Sequence, residues 1–394
     1  MKQFLLMLIV LSLSSCQSNK KVDKTDFYKV DFSDCIENQK EIQLSDVADT
    51  LEFLELKTPK DILVTHIMQV IPVDSFLFVY SVAGVLKFTR DGKYVTSFSQ
   101  KGPGPEEYNM VTGICVDSAK KQIGLLCSEK ILYYDFDGNY ITQIKSEEDL
   151  TNIRISENIL WQCPYTLFIQ KNLLFGLNEK KDTVATIPNC YYGVKSHDGG
   201  THYSSSKYYE PFYSYKENLY FKGKEQNDTI FCLTGSRIDK YAVFDMGKYK
   251  LPLEYEAQYS NENLLKYGSH YWGIPEVMED DKYMYITAQR YASIDGDNYS
   301  HHEDNFRYIC YDKSEKKGFV IPTADRKLKD NILGSPSFWP RWTSKDYFIN
   351  TMEWYDLKQM LKKGNYKLSP AFAKQYEKWG YCTNALLLFA HKKK

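Results

Sequence analysis

Val85-Leu86-Lys87-Phe88-Thr89-Arg90-Asp91-Gly92-Lys93-Tyr94-Val95-Thr96 is matched, 46 residues further on, by Ile131-Leu132-Tyr133-Tyr134-Asp135-Phe136-Asp137-Gly138-Asn139-Tyr140-Ile141-Thr142. Each copy reads as a strand, an Asp-Gly turn and a second, alternating strand. Asp-Gly suits a tight hairpin because glycine takes positive φ at no steric cost. A hairpin recurring at this spacing is what a propeller blade of four strands produces in sequence.

Weaker copies lie downstream. Leu167 to Ile187 reads strand, loop, strand. Leu219-Tyr220-Phe221 and Thr229-Ile230-Phe231 flank a turn around Gln226-Asn227-Asp228. Tyr283 to Ala288, Phe306 to Tyr311 and Gly318 to Ile321 form a further set. From Phe27 onward, roughly 350 residues at this period give seven or eight blades, and longer loops reduce the number to six. The fold expected is all-β, a six-bladed β-propeller with seven blades as the alternative. Helical spacing appears only near the end. Trp354, Leu357 and Leu361 share one face before Gly364. A second short helix starts at Ser369-Pro370, with Phe372, Tyr376 and Trp379 on one face and Gly380 after it. Both read as insertions covering the last blade.

The chain opens with Lys2 and an apolar run from Phe4 to Leu13, too short to span a bilayer. The run ends in Leu13-Ser14-Ser15-Cys16, a lipobox. Small residues flank the cut so that a peptidase reaches the backbone, and the sulfur of Cys16 carries the lipid. Residues 1–15 are therefore expected to be a signal peptide, 16–26 a lipidated cysteine with a polar tether, and 27–394 a single propeller domain. The membrane is reached through the lipid anchor only. Gln17-Ser18-Asn19-Lys20-Lys21 carries two positive charges and no negative ones, which predicts a periplasm-facing protein.

Of 394 residues, 43% are hydrophobic and 26% charged, with formal net charge −1. That balance leaves no electrostatic footprint for nucleic acid. Aromatic residues make up 15%, with 33 tyrosines, which favours strands. Besides Cys16 there are eight cysteines, none in C-x-x-C spacing, so zinc-site patterning is absent. Cys115, Cys127, Cys232 and Cys310 sit in apolar runs and read as small buried hydrophobes. Lys392-Lys393-Lys394 reads as a frayed tail.

Four stretches resemble the six-bladed β-propeller lipoproteins of Bacteroidetes, related in architecture to NHL-repeat propellers. Residues 42–58, from Ile42-Gln43-Leu44-Ser45-Asp46 to Leu56-Lys57-Thr58, are similar to the family's opening strand. Gly102-Pro103-Gly104-Pro105-Glu106-Glu107-Tyr108 resembles its G-x-G-P-G-E-Y loop, with Glu106 in place of the third glycine. Asn227-Asp228-Thr229-Ile230-Phe231, followed by Phe244 to Pro252, is the third. Asn384-Ala385-Leu386-Leu387 resembles the closing N-P-V-L strand without its proline. The resemblance implies the fold and little about activity.

Catalytic signatures are missing: there is no H-E-x-x-H, G-x-S-x-G or P-loop motif. No cofactor and no metal is expected. Asp295 to Asn305, with His301 and His302, is rich in ligand atoms but fails the EF-hand spacing and reads as a solvated hairpin loop. His197-Asp198-Gly199-Gly200-Thr201-His202 lacks a third ligand. The long loop-like stretches 189–209, 257–276, 289–305 and 333–343 hold most of the variable chemistry. Trp272, His301, Trp339, Arg341 and Trp342 are the candidate ligand-binding residues, expected on or near one rim. Exposed aromatics there would stack on sugar rings or grip a peptide, or else plug gaps between blades. The leading reading is a membrane-anchored binding module of the envelope for a protein or glycan ligand. A hydrolase or lyase acting on glycans or peptides is the alternative, and a structural part of an envelope assembly the second.

Overall fold

The computed structural model describes residues 27–393 apart from 99–101, 103, 105, 147–148, 165–168, 194–209, 224–226, 253–266, 292–302, 324, 363–366 and 380–383. The chain opens with β1 (Tyr28–Asp31), α1 (Phe32–Glu37) and β2 (Ala48–Glu55), which dress the outside of a ring built afterwards. Blade 1 is β3 (Gln69–Val73), β4 (Phe76–Ser81), β5 (Gly84–Thr89) and β6 (Tyr94–Ser97). Blade 2 is β7 (Val111–Asp117), β8 (Gln122–Cys127), β9 (Lys130–Asp135) and β10 (Tyr140–Lys145). Blade 3 is β11 (Leu150–Ser156), β12 (Ile159–Pro164), β13 (Asn172–Leu177) and β14 (Thr183–Pro188). Blade 4 is β15 (Phe212–Tyr215), β16 (Asn218–Phe221), β17 (Thr229–Thr234) and β18 (Arg237–Asp245). Blade 5 is β19 (Trp272–Glu279), β20 (Tyr283–Arg290), β21 (Phe306–Asp312) and β22 (Lys317–Val320). Blade 6 is β23 (Trp342–Thr343), β24 (Tyr347–Met352) and β25 (Leu386–Lys392), completed on its outer side by β2. The result is a six-bladed β-propeller, and the alternative of seven blades is set aside.

The repeated hairpins are the outer halves of blades 1 and 2. Phe88 pairs with Tyr94 and Tyr134 with Tyr140, so the two Asp-Gly turns hold the same register. Gly92 and Gly138 have φ of +81° and +93°, the left-handed region that favours glycine. Gly92 is needed twice over, because an added Cβ would collide with the Glu55 carbonyl oxygen at the end of β2.

Large apolar side chains on facing blades fill the spaces between them. Phe78, Phe98, Tyr134 and Phe136 pack between blades 1 and 2, and Trp161, Phe212 and Phe221 between blades 3 and 4. Cys115, Cys127, Cys232 and Cys310 lie in this packing as buried thiols without a disulfide. Between β24 and β25 stand α2 (Trp354–Lys362) and α3 (Pro370–Trp379), with Ser369 Oγ accepting the Phe372 N–H to start the second. Phe372 and Trp379 cover Phe53 of β2 at ring-centroid distances of 5.1 and 5.3 Å. Among the described residues, no helix is long and apolar enough to cross a membrane.

Closure of the ring is a hydrogen-bonded seam. β25 pairs antiparallel with β2 on one side and β24 on the other. Asn384 accepts the Val64 N–H at 2.8 Å and donates to the Leu56 carbonyl at 2.6 Å and to Thr58 Oγ1 at 2.9 Å. It thereby ties the last strand to the segment entering blade 1. The expectation of a frayed basic tail is corrected here. Lys392 ends β25 and donates to Thr343 Oγ1 and the Ser344 carbonyl, while the Lys393 N–H reaches the Val47 carbonyl.

Candidate functional site on the axis and loop face

Strands alternate in direction within each blade, so the two ends of the ring differ. At one end lie two-to-five-residue turns such as Asp74-Ser75, Glu157-Asn158 and Asp91-Gly92. At the other end, the loop face, lie the strand ends that bound the long stretches 189–209, 257–276, 289–305 and 333–343.

The first strand of each blade lines the axis, and polar side chains close it. Gln69 at the start of β3 donates to the Ile114 carbonyl (3.2 Å) and accepts the Ile114 N–H (2.9 Å), joining blades 1 and 2. Its amide also reaches Glu210 Oε2 at 3.2 Å, on the opposite side of the ring, beside blade 4. Arg154 of β11 pairs with the same Glu210 oxygen at 2.8 Å and donates to the Ile114 carbonyl at 2.8 Å. Four blades thus meet in one buried polar plug. A Glu–Arg pair with its remaining atoms hydrogen-bonded is tolerated out of water because no charge is left unmatched.

Glu276 of β19 stands beside this plug and makes no hydrogen bond among the described residues. Burial pushes its carboxyl up to about 7, Arg341 opposing the shift and Glu210 adding to it. A carboxyl that exchanges its proton near neutral pH can act as a general acid or base or as a pH-dependent acceptor.

On the loop face, beside the axis, blades 6 and 1 leave a depression of about 450 Å³ lined by His66, Lys327, Arg341, Asn350, Glu353 and Asp356 among others. The Arg341 guanidinium donates to the Ile67 carbonyl at 3.3 Å, which holds it at the wall. Glu353 accepts the His66 backbone N–H at 2.8 Å, and burial raises its carboxyl above the usual range. The lining mixes both charge signs with amide and hydroxyl groups over an apolar floor that includes Ile67, Met352 and Leu388. That composition suits a polar ligand with several hydrogen-bonding groups.

Of the five candidate residues, Arg341 is the one that lines this depression. Of the two roles expected for the three tryptophans, the structure shows the buried plug and not the exposed stacking surface. Trp272, Trp339 and Trp342 are only 3%, 3% and 4% exposed. The Arg290 and Arg307 guanidiniums lie 4.3 and 5.2 Å from the Trp272 ring centre. Trp339 packs near Tyr285 and Tyr308, and its indole N–H donates to Thr287 Oγ1 at 3.0 Å. Trp342 fills the packing between blades 6 and 1, with the Arg341 guanidinium 4.4 Å from its ring centre. Their faces are already used by the protein's own groups, which is the plug role of large aromatics. His301 lies outside the described residues. Among the described residues no group of three or more His, Cys, Asp or Glu side chains is placed to hold a metal ion.

Sequence reasoning missed Gln69, Arg154, Glu210 and Glu276. Their signal was a polar residue within or just before an apolar strand, as in Ile274-Pro275-Glu276-Val277-Met278. A buried polar group in such a run must find a partner or serve a purpose.

The family model described as a domain of unknown function (DUF4934) matches residues 27–380. A solved structure from Bacteroides fragilis, of a protein described as exported, is 18% identical with a TM-score of 0.70. The match covers 94% of this chain and 100% of that one. The extracellular domain of a two-component system protein from B. thetaiotaomicron is 10% identical with a TM-score of 0.39, covering 68% of this chain and 29% of that one. BamB from Moraxella catarrhalis is 10% identical with a TM-score of 0.37, covering 69% of this chain and 66% of that one. No curated protein matches the chain.

Proposed function

We propose, from the premise that the chain belongs to the family described as a domain of unknown function (DUF4934), that it is a lipid-anchored binding module of the cell envelope. Its propeller, NHL-like in architecture, takes a protein or glycan ligand at the loop face. The observation that carries this reading is the depression around Arg341, polar and of both charge signs, beside an axis sealed by Gln69, Arg154 and Glu210. A sealed axis gives a ligand a site to rest on rather than a conduit. Anchoring rests on Leu13-Ser14-Ser15-Cys16 and a periplasmic orientation on Lys20 and Lys21. The hydrolase alternative has one group in its favour, Glu276, whose proton exchanges near neutral pH.

The binding test is calorimetric titration of the purified chain with a panel of envelope oligosaccharides and peptides. Arg341→Ala and Asn350→Ala should each weaken a bound ligand by about tenfold, roughly 1.4 kcal/mol. Affinity unchanged in both variants, or no binder in the panel, would overturn the site. Product analysis of the same mixtures separates binding from turnover. For the anchor, Cys16→Ala should release the chain to the soluble fraction or leave it unprocessed.

A further inference from the structure

The polar plug of Gln69, Arg154 and Glu210 divides the axis into two ends of unlike chemistry. On the loop face, the depression around Arg341 holds carboxylates as well as cations, Asp325, Glu353 and Asp356 among them. Beyond the plug, where the first strands run out toward the short turns, a second cavity of about 270 Å³ opens on the axis. Its walls come from β3, β11, β15, β19 and β23, the first strands of five blades. Among the described residues that line it, the charged side chains are Arg154 and Lys345, both cations, and none is a carboxylate. These first strands pair only with the second strand of their own blade. Their backbone therefore offers the axis donors and acceptors alike, and the side chains set the sign.

Donors in this lining have bonds to spare. Arg154 Nη2 donates to Glu210 at 2.8 Å, and Nη1 reaches the Ile114 and Ile153 carbonyls at 2.8 and 3.3 Å. A guanidinium carries five N–H groups, so the Nε proton and the second Nη2 proton have no partner among the described residues. Ser344 Oγ accepts the Tyr347 N–H at 3.2 Å, which leaves its own proton to give. Ser214 Oγ, on an exposed residue of β15, makes no hydrogen bond among the described residues. Behind the wall, Lys392 Nζ donates to Thr343 Oγ1 at 2.7 Å and to the Ser344 carbonyl at 2.8 Å, holding that lip in place and adding positive charge. Glu279 follows Met278 of the lining but is turned away, accepting from Tyr213, Tyr241 and Lys313. Val70, Ile71 and Met278 supply an apolar wall. An apolar cavity of about 150 Å³ accepts benzene, so the volume here has room for a ring and a carboxylate.

We infer that the turn-end cavity is a second binding site, for a small organic acid: one carboxylate joined to a compact apolar body such as a ring or a short chain. The carboxylate is received by Arg154, Ser344 and Lys345, and the apolar body by Ile71 and Met278. Hydrogen bonds from a cation to a carboxylate are roughly twice as strong as neutral ones, and enclosure reduces their screening by salt. The sign of the lining selects an acid over an amine, and the apolar wall selects an organic acid over an inorganic anion. This site and the depression around Arg341 lie at opposite ends of the axis, so either can fail without the other.

The test uses the intact purified chain at pH 7 and four probes: benzoate, benzyl alcohol, benzylamine and inorganic phosphate. Calorimetric titrations should give benzoate an affinity about tenfold or more above each of the others. Lys345→Glu, at an exposed position, should weaken benzoate by about tenfold. Lys121→Glu makes the same charge change on an exposed turn at the same end, outside the cavity, and should leave benzoate binding unchanged. Ser214→Trp, also at an exposed position, should abolish binding by filling the cavity. Absence of saturable benzoate binding, another probe bound as tightly, equal losses in Lys345→Glu and Lys121→Glu, or undiminished binding in Ser214→Trp would overturn the proposal.

Discussion

Among the described residues, blades 4 and 6 gain a whole strand on their outer edges and blades 5 and 1 a single bridge each, while blades 2 and 3 gain none. The first group is where both ends of the chain meet the ring. β25, the Asn384 contacts and the segment 28–57 all fall there. The second group, blades 2 and 3, is built from consecutive hairpins alone, with Ile141 and Val184 exposed on its outer strands. The difference teaches how closure is divided from presentation. A ring assembled from one chain must be sealed where its ends meet, and sealing consumes backbone hydrogen-bonding groups. The hairpins far from the seam are spared that task, and their outer edges lack a partner among the described residues.

The largest break in this comparison is removal of residues 384–394. β25 bonds to β2 and β24 at once, so both halves of blade 6 lose their ladder. The expected outcome is loss of cooperative unfolding, since the deficit is comparable with the whole stability of a domain, about 5–15 kcal/mol. Thermal denaturation followed by circular dichroism reads this directly, and two independently stable proteolytic halves would count against a single cooperative ring.

A smaller cut at the same seam is Asn384→Ala. It leaves the Val64 N–H and the Leu56 carbonyl without their partner in a buried setting, which costs about 2–3 kcal/mol. Ile141→Ala, on the uncovered edge of β10, should stay within about 0.5 kcal/mol. Urea denaturation of the two variants measures the contrast, and equal losses would erase it.

The smallest effect tests the axis, where polar contacts rather than added backbone join the covered and uncovered groups. Glu276 holds its proton to about pH 7 in the folded ring, against an ordinary value of 4.5. Its contribution is therefore most favourable below the ordinary value, falls as pH rises toward 7, and is level above that. Glu276→Gln should remove this fall and gain about 1–2 kcal/mol at pH 8, the figure reduced because the residue is only half-buried. Stability against pH for both proteins, compared between pH 4 and 8, decides it.

The hairpins were legible because a strand, an Asp-Gly turn and a strand are local facts. Gly92 and Gly138 take the positive φ that the dipeptide implies. The two late helices were legible for the same reason, from the spacing of Trp354 and Leu357 and of Phe372 and Trp379. The candidate site was legible only at Arg341. Tryptophans beside Gly and Pro read equally as surface or as plugs, and only the fold decided it: Trp272 and Trp339 are enclosed by arginines and tyrosines from other strands.

Sequence by itself determined the blade repeat and the two helices, because period, turn chemistry and apolar alternation are set by residues close together in the chain. The tertiary structure alone decided which polar residues meet on the axis, which tryptophan faces are covered, and which two outer edges lack a partner among the described residues. Gln69 and Glu210 are 141 positions apart and bond across the ring. No local pattern encodes that, since their meeting depends on six blades closing around a common centre.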